Sequence, residues 1–118
     1  MYIACAALAV PEENKDAYKE AAEFMANWCM ERGALEVMEA WEKEVPDGKL
    51  TDYRRAVQAK EGEKIVTGWV VWPDKTTFDK ANEAMAAGEG MEEHPEGMPF
   101  DGSRLIYGGF EPLLTKGR

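Results

Sequence analysis

Residues that commonly build metal centres and nucleophilic sites are scarce in this sequence of 118 residues, which has one histidine and two cysteines. A metal site needs several converging ligands, and His94 stands alone among glutamates, so we predict a solvated loop there and no bound metal. A single histidine in a loop-like run also gives no basis for a Ser-His-Asp triad. The run Gly88-Glu89-Gly90 lacks the third glycine of a dinucleotide-binding loop, and we predict no cofactor.

The two cysteines, Cys5 and Cys29, lie in apolar patterns and lack the CxxC spacing of redox and metal motifs. Free cysteine is among the most buried residue types, and thiols of cytosolic proteins stay reduced. We therefore predict two buried free thiols and a cytoplasmic location.

Basic side chains are outnumbered, since 14 Lys and Arg residues stand against 23 Asp and Glu residues and give a formal net charge of −9. Nucleic-acid binding depends on neutralising phosphates, and anionic membrane surfaces repel an acidic chain, so we predict neither partner. No stretch approaches the roughly 20 apolar residues of a membrane span. The apolar opening, residues 1–10, lacks a basic flank and a cleavage site and is interpreted as a strand, not a signal peptide.

The apolar residues, 45% of the chain, follow the patterns of five strands and two helices in a single domain over residues 1–118. Pro11 ends the first strand, Gly33 caps the first helix, and Pro73-Asp74 starts the second helix. Strands are predicted over residues 2–10, 34–45, 51–60, 64–72 and 104–114, and helices from residue 11 to about residue 32 and from residue 74 to residue 88.

The order β-α-β-β-β-α-β predicts an α+β fold. It is a ferredoxin-like βαββαβ plan with an extra strand in the central meander, in which two main helices cover one face of an antiparallel sheet. The first, fourth and last strands are apolar on both faces, and two helices cannot cover both. The economical cover for the second face is the same face of a second copy. We therefore predict a homodimer with two sheets packed face to face, a dimeric α/β barrel.

The Asp47-Gly48 dipeptide lies between two predicted strands and is typical of a two-residue hairpin turn. With this turn, the register places Trp41 opposite Arg54 and Lys43 opposite Asp52. One interpretation is a ligand site, in which Arg54 holds an anionic or carbonyl group, Trp41 stacks on an aromatic ring, and Asp52 is a base or orients Arg54. The other is a structural cation–π contact and charge pair across the hairpin.

A turn near the C-terminus carries a second pair of candidate residues, Asp101 and Arg104, on either side of Gly102. Asp101 either bonds backbone N–H groups in an Asx turn and pairs with Arg104, or the loop of residues 98–102 closes over a pocket and presents both charges to a ligand. Gly108-Gly109 within the last strand marks a bulge or a dimer contact. Trp69 belongs either to the core or interface or to a pocket for a planar ligand.

Several short runs carry a family resemblance over nearly the whole chain: Ala17-Tyr18, Gly33-Ala34-Leu35, Pro46-Asp47-Gly48-Lys49, Asp52-Tyr53-Arg54, Met98-Pro99-Phe100-Asp101-Gly102 and Tyr107-Gly108-Gly109-Phe110-Glu111. Together they resemble the YbaA-like family of small, uncharacterised bacterial proteins, which is family 1428 among the domains of unknown function. Tyr53 stands where other members have Phe. The resemblance implies the dimeric α/β-barrel fold, and it implies no reaction and no catalytic residues.

Three functions compete. The first is a homodimeric small-molecule-binding module whose pocket lies between sheet and helices and takes a small planar or anionic molecule. The second, by analogy of fold alone, is a cofactor-independent oxygenase or isomerase of a planar or keto substrate. Such an enzyme needs a carboxylate or tyrosine of shifted pKa, and Asp52, Asp101, Tyr53 and Tyr107 are the candidates. The third is a structural or interaction role only.

Overall fold

Four strands and three α-helices build the protein, and the computed structural model describes residues 1–117 of it. The sheet is antiparallel throughout, and its strand order is β2-β3-β1-β4 once the elements are numbered along the chain. The predicted α+β fold on a ferredoxin-like plan is confirmed. The elements are β1 (Tyr2–Pro11), α1 (Lys15–Glu31), β2 (Glu36–Trp41), α2 (Tyr53–Ala56), β3 (Glu63–Trp72), α3 (Lys75–Ala86) and β4 (Ile106–Phe110), with single 3-10 turns at Glu12–Asn14 and Gly102–Arg104.

Both long helices, α1 and α3, pack on the same face of the sheet. Ala4 of β1 lies in one buried cluster with Trp28 and Cys29 of α1 and with Phe78 and Ala81 of α3. Alternate residues of a strand point to one face, so the even-numbered residues of β1 and β3 look toward these helices. We call this the helix face of the sheet and the other the second face.

The predicted third strand over residues 51–60 is wrong, because this segment forms α2 and packs on the second face. Val57, just after α2, is 1% exposed and contacts Ala7, Ala9 and Ile65. The sheet of the described residues accordingly has four strands, without the extra strand predicted for the central meander. Part of the second face is thus covered by the chain itself.

Local hydrogen bonds explain why Asp47-Gly48 does not make a hairpin turn. The Asp52 carboxylate accepts from the backbone N–H of Arg55 at 2.8 Å and so caps α2. The Arg55 guanidinium donates to the carbonyls of Lys49 and Leu50 at 3.2 and 3.0 Å. These bonds fold residues 48–55 back on themselves, and Asx capping outweighs the turn signal.

Other predicted boundaries are confirmed. Gly33 has φ +104°, and the N–H of Ala34 bonds the carbonyl of Cys29 at 3.1 Å, which closes the end of α1. Asp74 caps α3 by accepting from the backbone N–H of Thr77 at 2.7 Å. Both cysteines are free, Cys29 buried and Cys5 half-buried. Among residues 1–117, no helix has both the length and the apolar character needed to cross a membrane.

Candidate functional site

A cavity of about 290 Å³ lies between α1, α3 and the helix face of the sheet. Its walls are mostly aliphatic and aromatic, which is typical of a site that receives a small organic molecule. No Lys or Arg from the described residues borders it. The side chains that matter below are those of Tyr18, Trp28, Glu39, Trp72, Phe78, Phe100 and Tyr107.

The most polar feature of this cavity is a pair formed by Tyr18 and Glu39. Tyr18, in the first turn of α1, donates its hydroxyl to Oε1 of Glu39 on β2 at 2.5 Å. Glu39 lies opposite Gly68 in the β2–β3 register. A Cβ at position 68 would lie 3.3 Å from Cδ of Glu39, so the glycine leaves the space in which the carboxyl rests.

The surroundings of this pair favour the protonated form of both groups. Burial, reinforced by the neighbouring Glu39 carboxylate, raises the pKa of Tyr18. Burial also raises the pKa of Glu39, although the hydrogen bond from Tyr18 acts in the opposite direction. Glu39 is an exposed residue of an edge strand, so its carboxyl lies beside the cavity and is reachable from solvent.

A surface groove of about 450 Å³ shares Tyr18 and Glu39 with the cavity. Lys15 and Trp41 border this groove, and the Lys15 ammonium lies 5.1 Å from the Trp41 ring centre. Tyr18 and Glu39 therefore stand between the cavity and the surface. A molecule that enters through the groove meets this pair first.

The loop of residues 98–102 reaches the same site. Asn14 donates to the carbonyl of Pro99 at 2.9 Å, which ties the loop to the start of α1. The Phe100 ring stands edge-on to Tyr18 with 5.7 Å between ring centres, and Phe100 borders the cavity. The loop thus contributes Phe100 to the cavity, while Asp101 and Arg104 face elsewhere.

Asp101 and Arg104 form the predicted Asx turn and a further ion pair. Asp101 accepts from the backbone N–H of Ser103 and from Nε of Arg104, both at 3.0 Å. Arg104 also donates to both carboxylate oxygens of Glu63 at 2.7 Å. The hydrogen bonds from Arg104 hold the pKa of Glu63 at about 2. Bonds from Ser103 and then from Arg104 hold the pKa of Asp101 at about 2. A guanidinium so fully engaged supports the structural interpretation.

The predicted pairings across a hairpin, Trp41 with Arg54 and Lys43 with Asp52, are wrong because the partner strand does not exist. Trp41 lies opposite Val66 of β3 instead. Arg54 donates to Oε1 of Glu42 at 2.9 Å and to the backbone carbonyl of Glu63 at 2.6 Å. Asp52 serves as the cap of α2. The structure therefore does not bring Trp41, Arg54 and Asp52 together into one site.

Two other tryptophans differ in their hydrogen bonds. Trp69 borders the cavity through β3, but its indole N–H donates to Oε2 of Glu36 at 2.8 Å on the second face. Trp72 also borders the cavity, is 3% exposed, and its Nε1 has no acceptor among residues 1–117. Of the predicted ligand-binding residues, Trp41 and Trp69 lie at the groove and cavity, and their role as ligand contacts stays a prediction.

The sequence patterns did not predict Tyr18, Glu39 and Trp72 as site residues. Tyr18 follows the apolar spacing of α1, and Trp72 ends an apolar strand, so neither pattern distinguishes them from core residues. Glu39 carried a usable signal, because it alternates with Val37 and Trp41 and so puts a carboxyl on the apolar face of β2.

Comparison with known proteins relates the chain to proteins of similar sequence. A family model described as a protein of unknown function, DUF1428, matches residues 1–102. The uncharacterized protein YbaA of Escherichia coli strain K12 is 48% identical over 109 residues, which cover 92% of this chain and 93% of that protein. The uncharacterized protein YbaA of Shigella flexneri matches to the same extent.

Proposed function

Because the chain belongs to the DUF1428 family, for which no activity is described, we propose from its cavity that it is a homodimeric small-molecule-binding protein. The observation that carries the proposal is the cavity of about 290 Å³ between helices and sheet, apolar in its walls and polar at its mouth. Apolar walls supply binding energy, and a few polar groups fix orientation. A planar neutral ligand fits better than an anion, because the polar group at the mouth is a carboxyl and no cation borders the cavity among residues 1–117.

Binding is tested by thermal shift with flat bicyclic probes such as 2-naphthol and coumarin. We expect the unfolding midpoint to rise with probe concentration. Ala81→Leu fills space beside the cavity and should abolish the shift, while Ala86→Leu, exposed on the same helix, should preserve it. A shift that survives Ala81→Leu, or no shift with any flat probe, contradicts the proposal.

The homodimer is supported by the part of the second face that α2 leaves open. Ile106 and Phe110 of β4 are 46% and 57% exposed there, beside Cys5 and Thr67. Exposed apolar surface of this kind is typical of an interface, and a second copy offers the matching face.

Sedimentation velocity tests this assembly. We expect the unmodified protein to sediment as a dimer at micromolar concentration and Phe110→Glu to sediment as a monomer. Met30→Glu, which adds the same charge on the outer side of α1, is the matched control and should stay dimeric. A monomeric unmodified protein, or dissociation by both variants alike, would refute the dimer.

A second candidate function, a cofactor-independent isomerase of a planar ketone, is favoured by the raised pKa of Glu39. Its carboxylate takes a proton from the carbon next to the carbonyl, and the C–H electron pair moves toward the carbonyl oxygen. The protonated Glu39 then returns the proton to a different carbon, which gives the isomer. The first half of this reaction, proton abstraction, is visible as deuterium uptake when the proton on Glu39 exchanges with solvent D₂O before it returns to the original carbon.

Exchange of 2-tetralone in D₂O, followed by NMR, tests the isomerase. We expect the protein to accelerate deuterium uptake and Glu39→Gln to lose the acceleration. Glu36→Gln changes a β2 glutamate on the second face and should keep it. If probes bind without accelerated exchange, the protein is a binding protein and not this isomerase. If probes neither bind nor exchange faster, the structural or interaction role is the one that remains.

A further inference from the structure

We propose that the C-terminal arm, residues 111–117, docks on a second copy of the chain, so that two copies exchange arms. Leu113 and Leu114 are the side chains that bind, and the receiving surface is the part of the partner's second face that α2 leaves open. This inference rests on the homodimer of the proposed function and names the segment that fastens it. It does not depend on any ligand in the cavity.

The first step is the exposure of the arm. Its residues 111–117 are all exposed, and none of them belongs to a helix or a strand. Leu113 is 100% exposed and Leu114 80%, so both side chains are almost free of contact with their own chain. Single exposed apolar residues are common on protein surfaces, whereas a contiguous exposed apolar segment indicates a surface that a partner covers.

The second step is the place at which the arm leaves the sheet. The last residue of β4, Phe110, lies opposite Ile3 at the start of β1. The other end of the second face is covered after α2, where Val57 packs on Ala7 and Ala9. The arm therefore starts at the end of the sheet whose second face is open. Seven extended residues span up to about 23 Å, which is enough to reach across an interface.

The third step is the receiving surface. Cys5, Thr67, Ile106 and Phe110 border an open depression of about 290 Å³ on the second face. No charged side chain of the described residues borders this depression, so it suits apolar side chains. Because about 150 Å³ holds a benzene ring, the depression has room for two leucine side chains.

The fourth step is the identity of the partner. A compact chain of this mass, 13.2 kDa, exposes roughly 6,400 Å², whereas this chain exposes 8256 Å². Its radius of gyration is 15.0 Å, against about 13.5 Å for a compact domain of the same length. The excess area, roughly 1,800 Å² per chain, is of the size that obligate homodimers bury. Arm and depression belong to the same chain, so a two-fold axis pairs each arm with the depression of the other copy.

Sedimentation equilibrium over a dilution series tests the arm through the dissociation constant of the dimer. We expect the double variant Leu113→Ser/Leu114→Ser to raise this constant at least about 100-fold, since each dimer loses four buried leucine side chains. The control Met30→Ser/Met98→Ser removes two exposed apolar side chains, one on the outer side of α1 and one in the loop of residues 98–102, and should leave the constant unchanged. An arm variant that dimerises as tightly as the unmodified protein overturns the inference.

A measurement on the unmodified protein identifies the contact directly. Dimers are mixed from ¹³C-labelled and unlabelled chains, so that isotope-filtered NOE spectra report contacts between the two copies only. We expect such contacts from the methyl groups of Leu113 and Leu114 to Ile106 and Phe110 of the partner subunit. A dimer in which these methyl groups contact only their own chain, or nothing, overturns the arm exchange and leaves the homodimer in place. A monomer at micromolar concentration removes both together.

Discussion

Two glutamates on neighbouring strands differ in their hydrogen-bond partners and in the direction of their pKa shifts. Glu63, at the start of β3, receives two bonds of 2.7 Å from Arg104, and its pKa lies at about 2. Glu39, on β2, receives one bond from the phenol of Tyr18, and burial raises its pKa. The first carboxylate is neutralised by a guanidinium of the protein, whereas the second has no basic partner among residues 1–117. The contrast separates a residue of the fold from a residue of the candidate site.

The largest effect should follow from breaking the compensated pair with Arg104→Met. The side chains of Arg104 and Glu63 are 11% and 8% exposed, so the variant leaves a carboxylate buried without its partner. We expect the thermal midpoint to fall by roughly 10 °C. Lys75→Met, which breaks the exposed pair with Asp79, should shift it by less than about 2 °C. Thermal unfolding followed by circular dichroism measures both midpoints. Equal shifts for the two variants would contradict the claim that the buried ion pair stabilises the fold more than the exposed one.

Gly68→Ala tests the placement of Glu39. The added Cβ would lie 2.4 Å from the carbonyl oxygen of Met38 and 3.3 Å from Cδ of Glu39. We expect a loss of about 1–3 kcal/mol in the free energy of unfolding, measured with urea, because the strand must move. The control Gly102→Ala meets its nearest atom at an ordinary 3.6 Å and should be near neutral.

Acid should reduce the contribution of the Glu63 carboxylate to the free energy of unfolding. The folded pKa of Glu63 is lowered from its usual 4.5 to about 2, so its contribution is complete above pH 4.5 and is lost as the pH falls toward 2. Urea midpoints at steps through this window should fall more steeply for the unmodified protein than for Glu63→Gln. Parallel curves would contradict the lowered pKa.

Glu39→Gln should change the stability least among these variants. The pH dependence that Glu39 contributes should have the opposite sign to that of Glu63. A carboxyl whose folded pKa is raised binds protons more readily when folded, so its stabilising contribution is present at acid pH and is lost as the pH rises. At pH 7 we expect the variant to be slightly more stable than the unmodified protein. The two should converge below about pH 4, the ordinary carboxyl range. A less stable variant at pH 7 would contradict the uncompensated state of Glu39.

Sequence patterns predicted the sheet and the long helices because apolar periodicity directly records burial. β1 and β3 are apolar on both faces, and α1 and α3 carry apolar stripes ended by Gly33 and begun by Asp74. The failure at residues 51–60 has a specific cause. Asp47-Gly48 is typical of a hairpin turn, but the hydrogen bonds of Asp52 and Arg55 stabilise α2 in place of a strand.

The candidate site was harder to predict because its key groups are ordinary residues made unusual by their neighbours. Arg54, Asp52, Asp101 and Arg104 looked functional because they are charged, and each is bonded to acceptors or donors of the fold. Trp72 is distinctive because its indole N–H has no acceptor among residues 1–117. An absent hydrogen bond requires three-dimensional information, since the sequence names the donor and not its surroundings.

The groove beside edge strand β2 has a kinetic consequence. It leads from the surface to Tyr18 and Glu39 on the helix face, away from Ile106 and Phe110 on the second face. A ligand following this route crosses no strand and separates no pair of packed sheets. The association and dissociation rate constants of a ligand should therefore be the same for the monomer and for the proposed dimer.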